Sequence, residues 1–291
     1  MRAEAADFAT PGPVRDRHLS SAERKVTHGG SLVFKNRLKE KIKTGEPAVG
    51  IWNHLRDAFA IEAMGAAAFD WWAVDTEHTP TASDDLFRII SLLECTQTVP
   101  LIRLMANQPE HFKVALDLGA KGVIVPMIES ADDARAAVSF CRYPPHGSRG
   151  FAPIRASRYF LDMAEYCKSA NDEILLVGMI ESLRGVQELD GILEVPGLDA
   201  IYIGPGDLSS SMGSLGSWKT PEVQDVIQRI VSRCLAAGTP VGTLAEGPEE
   251  FARWVERGAT LMTLGSDLGF MMQGGAGALK RAQELLAAQK K

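Results

Sequence analysis

Eight short apolar runs, each separated from the next by a helical stretch, limit what this chain can fold into. They read AVGIW (48–52), WWAVD (71–75), VPLIRL (99–104), GVIVPM (122–127), ILLVGMIE (174–181), LDAIYIG (198–204), TPVGTLA (239–245) and LMTLGS (261–266). Half-buried strands alternate apolar with polar residues. These runs are continuously apolar, as expected of parallel strands covered on both faces.

The intervening segments have helical spacing and helical punctuation. EHFKVALDLGA (110–120) carries apolar residues at 112, 114, 115 and 118 and runs out at Gly119. SADDARAAVSFCRY (130–143) opens on a serine cap with two early acids and stops before Pro144. TPEVQDVIQRIVSRCLAAG (220–238) has threonine at the cap, proline in the first turn and glycine at the end. Strand then helix, repeated eight times over about 250 residues, predicts an α/β fold, a (β/α)8 TIM barrel. A doubly wound open sheet is the alternative. No GxGxxG turn follows the first run, which weakens a dinucleotide-binding version.

The chain has 291 residues, 45% of them hydrophobic, and a net charge of -6. No basic block marks a nucleic-acid surface, and no apolar run reaches the roughly 18 residues of a membrane span. Residues 1–33 mix charge, proline and glycine without apolar periodicity. They read as a flexible N-terminal tail, leaving 34–291 as the barrel domain. The tail lacks the apolar core of a signal peptide. Cys95, Cys141, Cys167 and Cys234 are widely spaced in helical segments. They read as small buried hydrophobes of a reduced, cytoplasmic protein, and not as disulfides or a zinc site.

In such a barrel the chemistry belongs at the carboxyl ends of the strands. Those ends hold Asp75, Glu77 and His78 after the second run, Arg103 on the third, and Glu181 on the fifth. The sixth run leads into GPGDLS with Asp207, and the eighth into Ser266 and Asp267. Glu181 and Asp207 offer two hard oxygen donors to a divalent ion; each could instead cap a helix. The Gly204–Gly206 turn can aim backbone amides at a carboxylate or phosphate. Arg103 could stabilise an enolate or carboxylate oxygen, or form a structural pair with Asp75 or Glu77. His78 can move protons near neutrality, with Asp75 holding its second nitrogen. His54, after the first run, could reach the same mouth. No lysine sits at a strand's carboxyl end, since Lys121 precedes the fourth run. Ion-assisted chemistry is therefore favoured over an imine.

Taken in order, FDWWAVDTEH, LIRL, ALDLGAKGVIVPMIES, RYPPHGSRG, VGMIES and IYIGPGDLS resemble the HpcH/HpaI aldolase family, the class II pyruvate aldolases. The resemblance spans about residues 34–288. It implies a barrel in which Glu181 and Asp207 hold Mg²⁺ or Mn²⁺, or else Co²⁺ or Zn²⁺. It implies pyruvate on the Pro205–Gly206–Asp207–Ser209 turn, with Arg103 stabilising the enolate. His78, oriented by Asp75, would relay the proton of the 4-hydroxyl. The reaction would be reversible cleavage of a 4-hydroxy-2-oxo acid to pyruvate and an aldehyde. Oxaloacetate decarboxylation, enolate chemistry like that of macrophomate synthase, and a non-catalytic 2-oxo-acid-binding scaffold are the alternatives. The resemblance also implies a homohexamer, a trimer of dimers exchanging the last helix, with Asp117 approaching a neighbour's site.

Two departures from the family pattern stand out. Where the family often reads VQIET this chain reads VGMIES, so Met179 replaces a site glutamine beside Gly178. The loop WNHLRD, with Trp52, Asn53 and His54, is larger than expected after the first strand. Glu77 is assigned either to the waters of the ion or to a pair with Arg103.

Overall fold

The computed structural model describes residues 34–289, so the expected flexible tail lies outside the described residues. Eight parallel strands close into a barrel in sequential order: β1 (Ala48–Asn53), β2 (Trp71–Asp75), β3 (Val99–Arg103), β4 (Gly122–Val125), β5 (Leu175–Ile180), β6 (Ala200–Ile203), β7 (Val241–Ala245) and β8 (Leu261–Ser266). Strand β8 pairs back on β1, so no sheet edge is left open. All eight expected runs are strands. The doubly wound alternative is excluded by the closure.

Period-two alternation persists inside the continuously apolar runs and sorts the core into two layers. Trp72 and Val74 of β2 face outward against the helices, whereas Trp71 and Ala73 face the lumen. The lumen is filled by Trp52, Trp71, Leu101, Ile124, Val177 and Tyr202, among others. A helix ahead of the barrel, α1 (Arg37–Lys43), closes its amino-terminal end with Leu38 and Ile42. The Lys39 ammonium donates to the Ile174 carbonyl at 3.0 Å and pairs with Asp199 at 2.8 Å, fixing that plug at the feet of β5 and β6.

The helix signals hold with small shifts. The expected segments are α4 (Pro109–Asp117), α5 (Ala131–Cys141) and α10 (Pro221–Ala236). Ser130 caps α5, its hydroxyl accepting the Asp133 N–H at 3.1 Å. Thr220 occupies the cap of α10 without a side-chain cap bond. The last helix, α12 (Asp267–Ala288), starts directly on β8, with Ser266 as its cap. The cysteine reading needs correction: Cys141 and Cys234 are buried, but Cys95 and Cys167 are exposed because each sits on the solvent side of its segment.

Gly50 of β1 faces the lumen, where the Trp71 indole leaves no room for a side chain. A Cβ there would lie 2.4 Å from the ring. Gly50→Ala is expected to destabilise the barrel by about 1–3 kcal/mol through overpacking, read as a lowered urea midpoint with an unchanged slope.

Candidate active site

The lumen-facing series of several strands leads to the mouth of one cavity of about 740 Å³ at the carboxyl end. On β1 the series Ala48, Gly50, Trp52 continues to His54. On β2 it runs Trp71, Ala73, Asp75; on β3 Val99, Leu101, Arg103; on β5 Val177, Met179, Glu181; on β6 Ala200, Tyr202, Gly204. Side chains that begin as core thus end as site, and no loop rearrangement is needed to bring them together.

Arg103 is the centre of this arrangement. Asp75 and Arg103 are register partners on adjacent strands, so their side chains meet. Arg103 Nε donates to Asp75 Oδ1 at 3.0 Å and Nη2 to Oδ2 at 2.7 Å, a bidentate pair. Glu77 approaches the opposite side of the guanidinium, 3.2 Å from Nη1. Beneath it lies the indole of Trp52, 4.7 Å from the guanidinium carbon to the ring centroid. Trp52 is itself fixed by its N–H, which donates to the Tyr202 hydroxyl at 3.1 Å, and that hydroxyl bonds Thr263. Burial alone would raise the Asp75 carboxyl, but the bonds from Arg103 outweigh it and hold it below the ordinary carboxylate range. Glu77 goes the other way: its burial outweighs the pull of Arg103 and His78, and its carboxyl is raised.

This pairing corrects the expected partnership of Asp75 with His78. The Asp75 carboxylate accepts the backbone N–H of Glu77 at 2.9 Å and of His78 at 3.2 Å, with the rest of its capacity spent on Arg103. The His78 ring turns outward, with its side chain 57% exposed, and its nearest carboxylate is Glu77 at 3.8 Å. The imidazole close to Asp75 is that of His54, at 3.9 Å. Glu77 pairs with Arg103, as one of its two expected roles required.

Glu181 is buried on the far side of the cavity. It does not cap the following helix: Ser182 does that, and Glu181 Oε1 accepts the Met127 N–H at 2.8 Å. Gly204 lies against it so closely that a Cβ would sit 2.6 Å from Oε2. Burial, with the nearby charges of Glu77 and Asp207, pushes the Glu181 carboxyl up to about 7. Asp207 is exposed in the first turn of α9 (Pro205–Ser211). Gly206 and Asp207 have backbone N–H groups at the helix start, where no carbonyl of the helix can receive them. Pro205, Gly206 and Asp207 line the cavity. Ser209 does not: it is fully buried, and its hydroxyl donates to the Gly206 carbonyl at 2.7 Å, shaping the turn from behind.

Met179 lines the cavity but brings only a thioether, so the polar bonding expected of a glutamine there is absent from this position. Asp117 lies elsewhere, at the end of α4, paired with the buried Arg149 at 2.7 Å. Sequence reasoning missed Tyr202, Trp218 and the α12 residues Phe270 and Gln273, all of which line the cavity. Tyr202 shares the lumen parity of its strand and could have been found that way. Trp218 lies in an aperiodic loop, without such a signal.

The model of the family described as HpcH/HpaI aldolase/citrate lyase matches residues 48–273. The chain belongs to the HpcH/HpaI aldolase/citrate lyase family. It is 40% identical over 250 residues to a 2-dehydro-3,6-dideoxy-6-sulfogluconate aldolase of Pseudomonas putida, covering 86% of this chain and 95% of that one. It is 35% identical over 237 residues to a 5-keto-4-deoxy-D-glucarate aldolase of Escherichia coli O139:H28, covering 81% and 93%. Among solved structures, an HpcH/HpaI aldolase/citrate lyase family protein of Burkholderia cenocepacia J2315 superposes with a TM-score of 0.81 at 32% identity, covering 86% of this chain and 100% of that one. As an aldolase of this family, the protein is a carbon–carbon lyase.

The Arg103 pair carries a stability prediction. Asp75→Ala would leave a guanidinium buried beside the single, imperfectly aligned carboxylate of Glu77. The loss is expected to be about 3–5 kcal/mol, checked by denaturant unfolding. The sign in pH follows from the lowered Asp75 carboxyl. Its stabilising contribution is present above the ordinary carboxylate range and is lost as pH falls through the depressed value.

Proposed function

We propose that the enzyme catalyses reversible aldol cleavage of a 4-hydroxy-2-oxo acid to pyruvate, or a close 2-oxo acid, and an aldehyde, with a divalent cation held by Glu181 and Asp207. The observation that carries this reading is the convergence of Glu181, Asp207 and Arg103 on one cavity. The nearby charges of Glu77 and Asp207 add to burial in raising the Glu181 carboxyl, with Arg103 as the opposing guanidinium. The pair of oxygen donors fits a hard ion such as Mg²⁺ or Mn²⁺, with Co²⁺ or Zn²⁺ as softer occupants. Among the described residues no three His, Cys, Asp or Glu side chains cluster as a metal cage, so in this proposal Glu181 and Asp207 would be the only protein donors of the ion. When bound, the ion would polarise the keto group of the 2-oxo acid.

The protein's own part follows from its geometry. The amides of Gly206 and Asp207 would receive the substrate carboxylate. Arg103, held flat by Asp75 and the Trp52 ring, would stabilise negative charge on the former keto oxygen as the C3–C4 bond breaks. His78, at the open side of the cavity, would take the proton of the 4-hydroxyl as C4 becomes the aldehyde carbon. The names of the two relatives, a sulfogluconate-derived and a glucarate-derived aldolase, support a sugar-derived substrate that bears a second anionic group.

The same proposal includes a cytoplasmic homo-oligomer, a hexamer of paired dimers that exchange α12. Four free cysteines suit a reducing compartment. From Met271 onward α12 is exposed and carries Met271, Met272, Leu279, Leu285 and Leu286, an apolar series that a second copy would cover. Asp117 would approach a neighbour's cavity in that assembly. Among the described residues no helix is long and apolar enough to cross a membrane.

Three outcomes test the reading. Mn²⁺ affinity, measured by calorimetry from pH 5.5 to 8.5, is expected to rise with pH and level off above about 7, because Glu181 must lose its proton to bind. Exchange of pyruvate methyl protons in D2O is expected to require the ion; exchange that ignores EDTA would remove the metal assignment. His78→Ala is expected to slow aldol cleavage by roughly 10²–10⁴-fold, with unchanged activity ruling out the relay role.

A further inference from the structure

His54 is the one imidazole in the cavity to which the proposed reaction gives no task, although it is held more deeply than His78. Its side chain is 28% exposed against 57% for His78. It stands two residues beyond Trp52, the ring that floors Arg103. The two histidines flank the guanidinium through its two carboxylates. On one side His54 Nε2 lies 3.9 Å from Asp75, which pairs with Arg103; on the other, Arg103 pairs with Glu77, which lies 3.8 Å from His78.

The backbone around His54 is fixed with unusual thoroughness, while its ring is left free. The buried Asp267 carboxylate, in the first turn of α12, accepts the N–H of His54 at 2.9 Å and of Leu55 at 3.1 Å. It also accepts the Asn53 side-chain amide at 2.6 Å. Among the described residues the ring itself makes no hydrogen bond. Nδ1 is buried without a partner, 4.0 Å from Asp267, and the Asp75 oxygens facing Nε2 are already engaged by Arg103 and two backbone amides. An imidazole positioned by its backbone, with ring nitrogens not committed to a partner, has what a proton-transfer residue needs.

We propose that His54 is a second acid–base residue of this site, serving C3 of the 2-oxo acid, while His78 serves the 4-hydroxyl. The assignment rests on the function proposed above. The deeper imidazole belongs with the 2-oxo acid, which is held at Arg103, and the outer one with the aldehyde, which arrives from the mouth. In the condensation direction the C3–H bond of pyruvate breaks and its electron pair forms the C2–C3 double bond of the enolate. The negative charge comes to the former keto oxygen beside Arg103, and the proton passes to His54 Nε2. In cleavage the C3–C4 electron pair forms the same enolate, and His54 returns a proton to C3.

The test separates the two proton transfers. In Mn²⁺-loaded wild type, His54→Ala and His54→Gln, the exchange of pyruvate methyl protons is followed by NMR in D2O. Aldehyde release from 4-hydroxy-2-oxopentanoate is followed in a single turnover. The expected result is a loss of exchange of at least about tenfold in both variants, clearly larger than the slowing of aldehyde release. Added imidazole should partly restore exchange in His54→Ala, which a merely structural role would not produce. Mn²⁺ affinity equal to wild type shows that the variant site is intact, and His54→Gln carries the measurement if His54→Ala does not fold. Exchange at the wild-type rate in a variant with intact Mn²⁺ binding, or equal slowing of both steps, overturns the assignment of His54 alone. Absence of chelator-sensitive exchange in the wild type would sink the proposed function and this assignment with it.

Discussion

The buried pair between Arg103 and Asp75 is the interaction on which the rest of the barrel mouth depends. A guanidinium on the last residue of an apolar strand is tolerable only if its donors are met. Register makes this possible, because Asp75 stands opposite Arg103 on the neighbouring strand and presents both oxygens to it. The remaining face of the guanidinium rests on Trp52, and its outer edge meets Glu77. The guanidinium is therefore held along two edges and one face before a substrate arrives. A fixed positive charge of this kind stabilises developing oxyanion charge without reorganising during the reaction.

Glu181 shows the opposite use of burial. Its carboxyl is held in a recess that only glycine at position 204 permits, with one N–H from Met127 on one oxygen. That single bond does not offset its desolvation and the negative neighbours, so the group is raised to about 7. The folded protein holds this proton more tightly than the unfolded chain. Its contribution to stability is therefore full at acid pH and declines as pH rises from the ordinary value of 4.5 to about 7. Above that range the recess carries a charge met only in part by the Met127 N–H and by Arg103, and the proposed cation would supply the rest of the compensation. The strand end is built for binding at the expense of stability.

Much of this was legible in the sequence because a strand's parity does not stop at its last hydrogen bond. Asp75, Arg103 and Glu181 lie at the ends of apolar runs, and their charge there required a partner or a ligand. The same parity rule, applied further, reaches His54 and Tyr202, which reading by motif alone undervalued. It also explains the misplaced Ser209. That residue lies in α9, where the period is 3.6 and not 2, so its hydroxyl turns inward to the Gly206 carbonyl. The partnership of Asp75 with the His78 ring failed for a different reason. Asp75, Glu77 and His78 are near neighbours in sequence, but a tight turn after β2 brings the His78 amide, not its ring, onto the Asp75 carboxylate. Contacts of Trp218, Phe270 and Gln273 depend on where a loop and a distant helix return to the mouth, and no local pattern encodes that return.

That return also joins the site to α12. Asp267 is at once the first residue of α12, a buried carboxylate, and the acceptor that fixes the loop carrying His54. Phe270 and Gln273, in the first two turns, form part of the cavity wall, whereas the helix beyond is exposed. The root of α12 therefore contributes to the candidate site, while its remaining length is exposed among the described residues. The cost of moving Asp267 is high, because three donors at the end of β1, from Asn53, His54 and Leu55, would lose a buried carboxylate together. The rigidity of the site therefore belongs as much to the root of α12 as to the barrel strands.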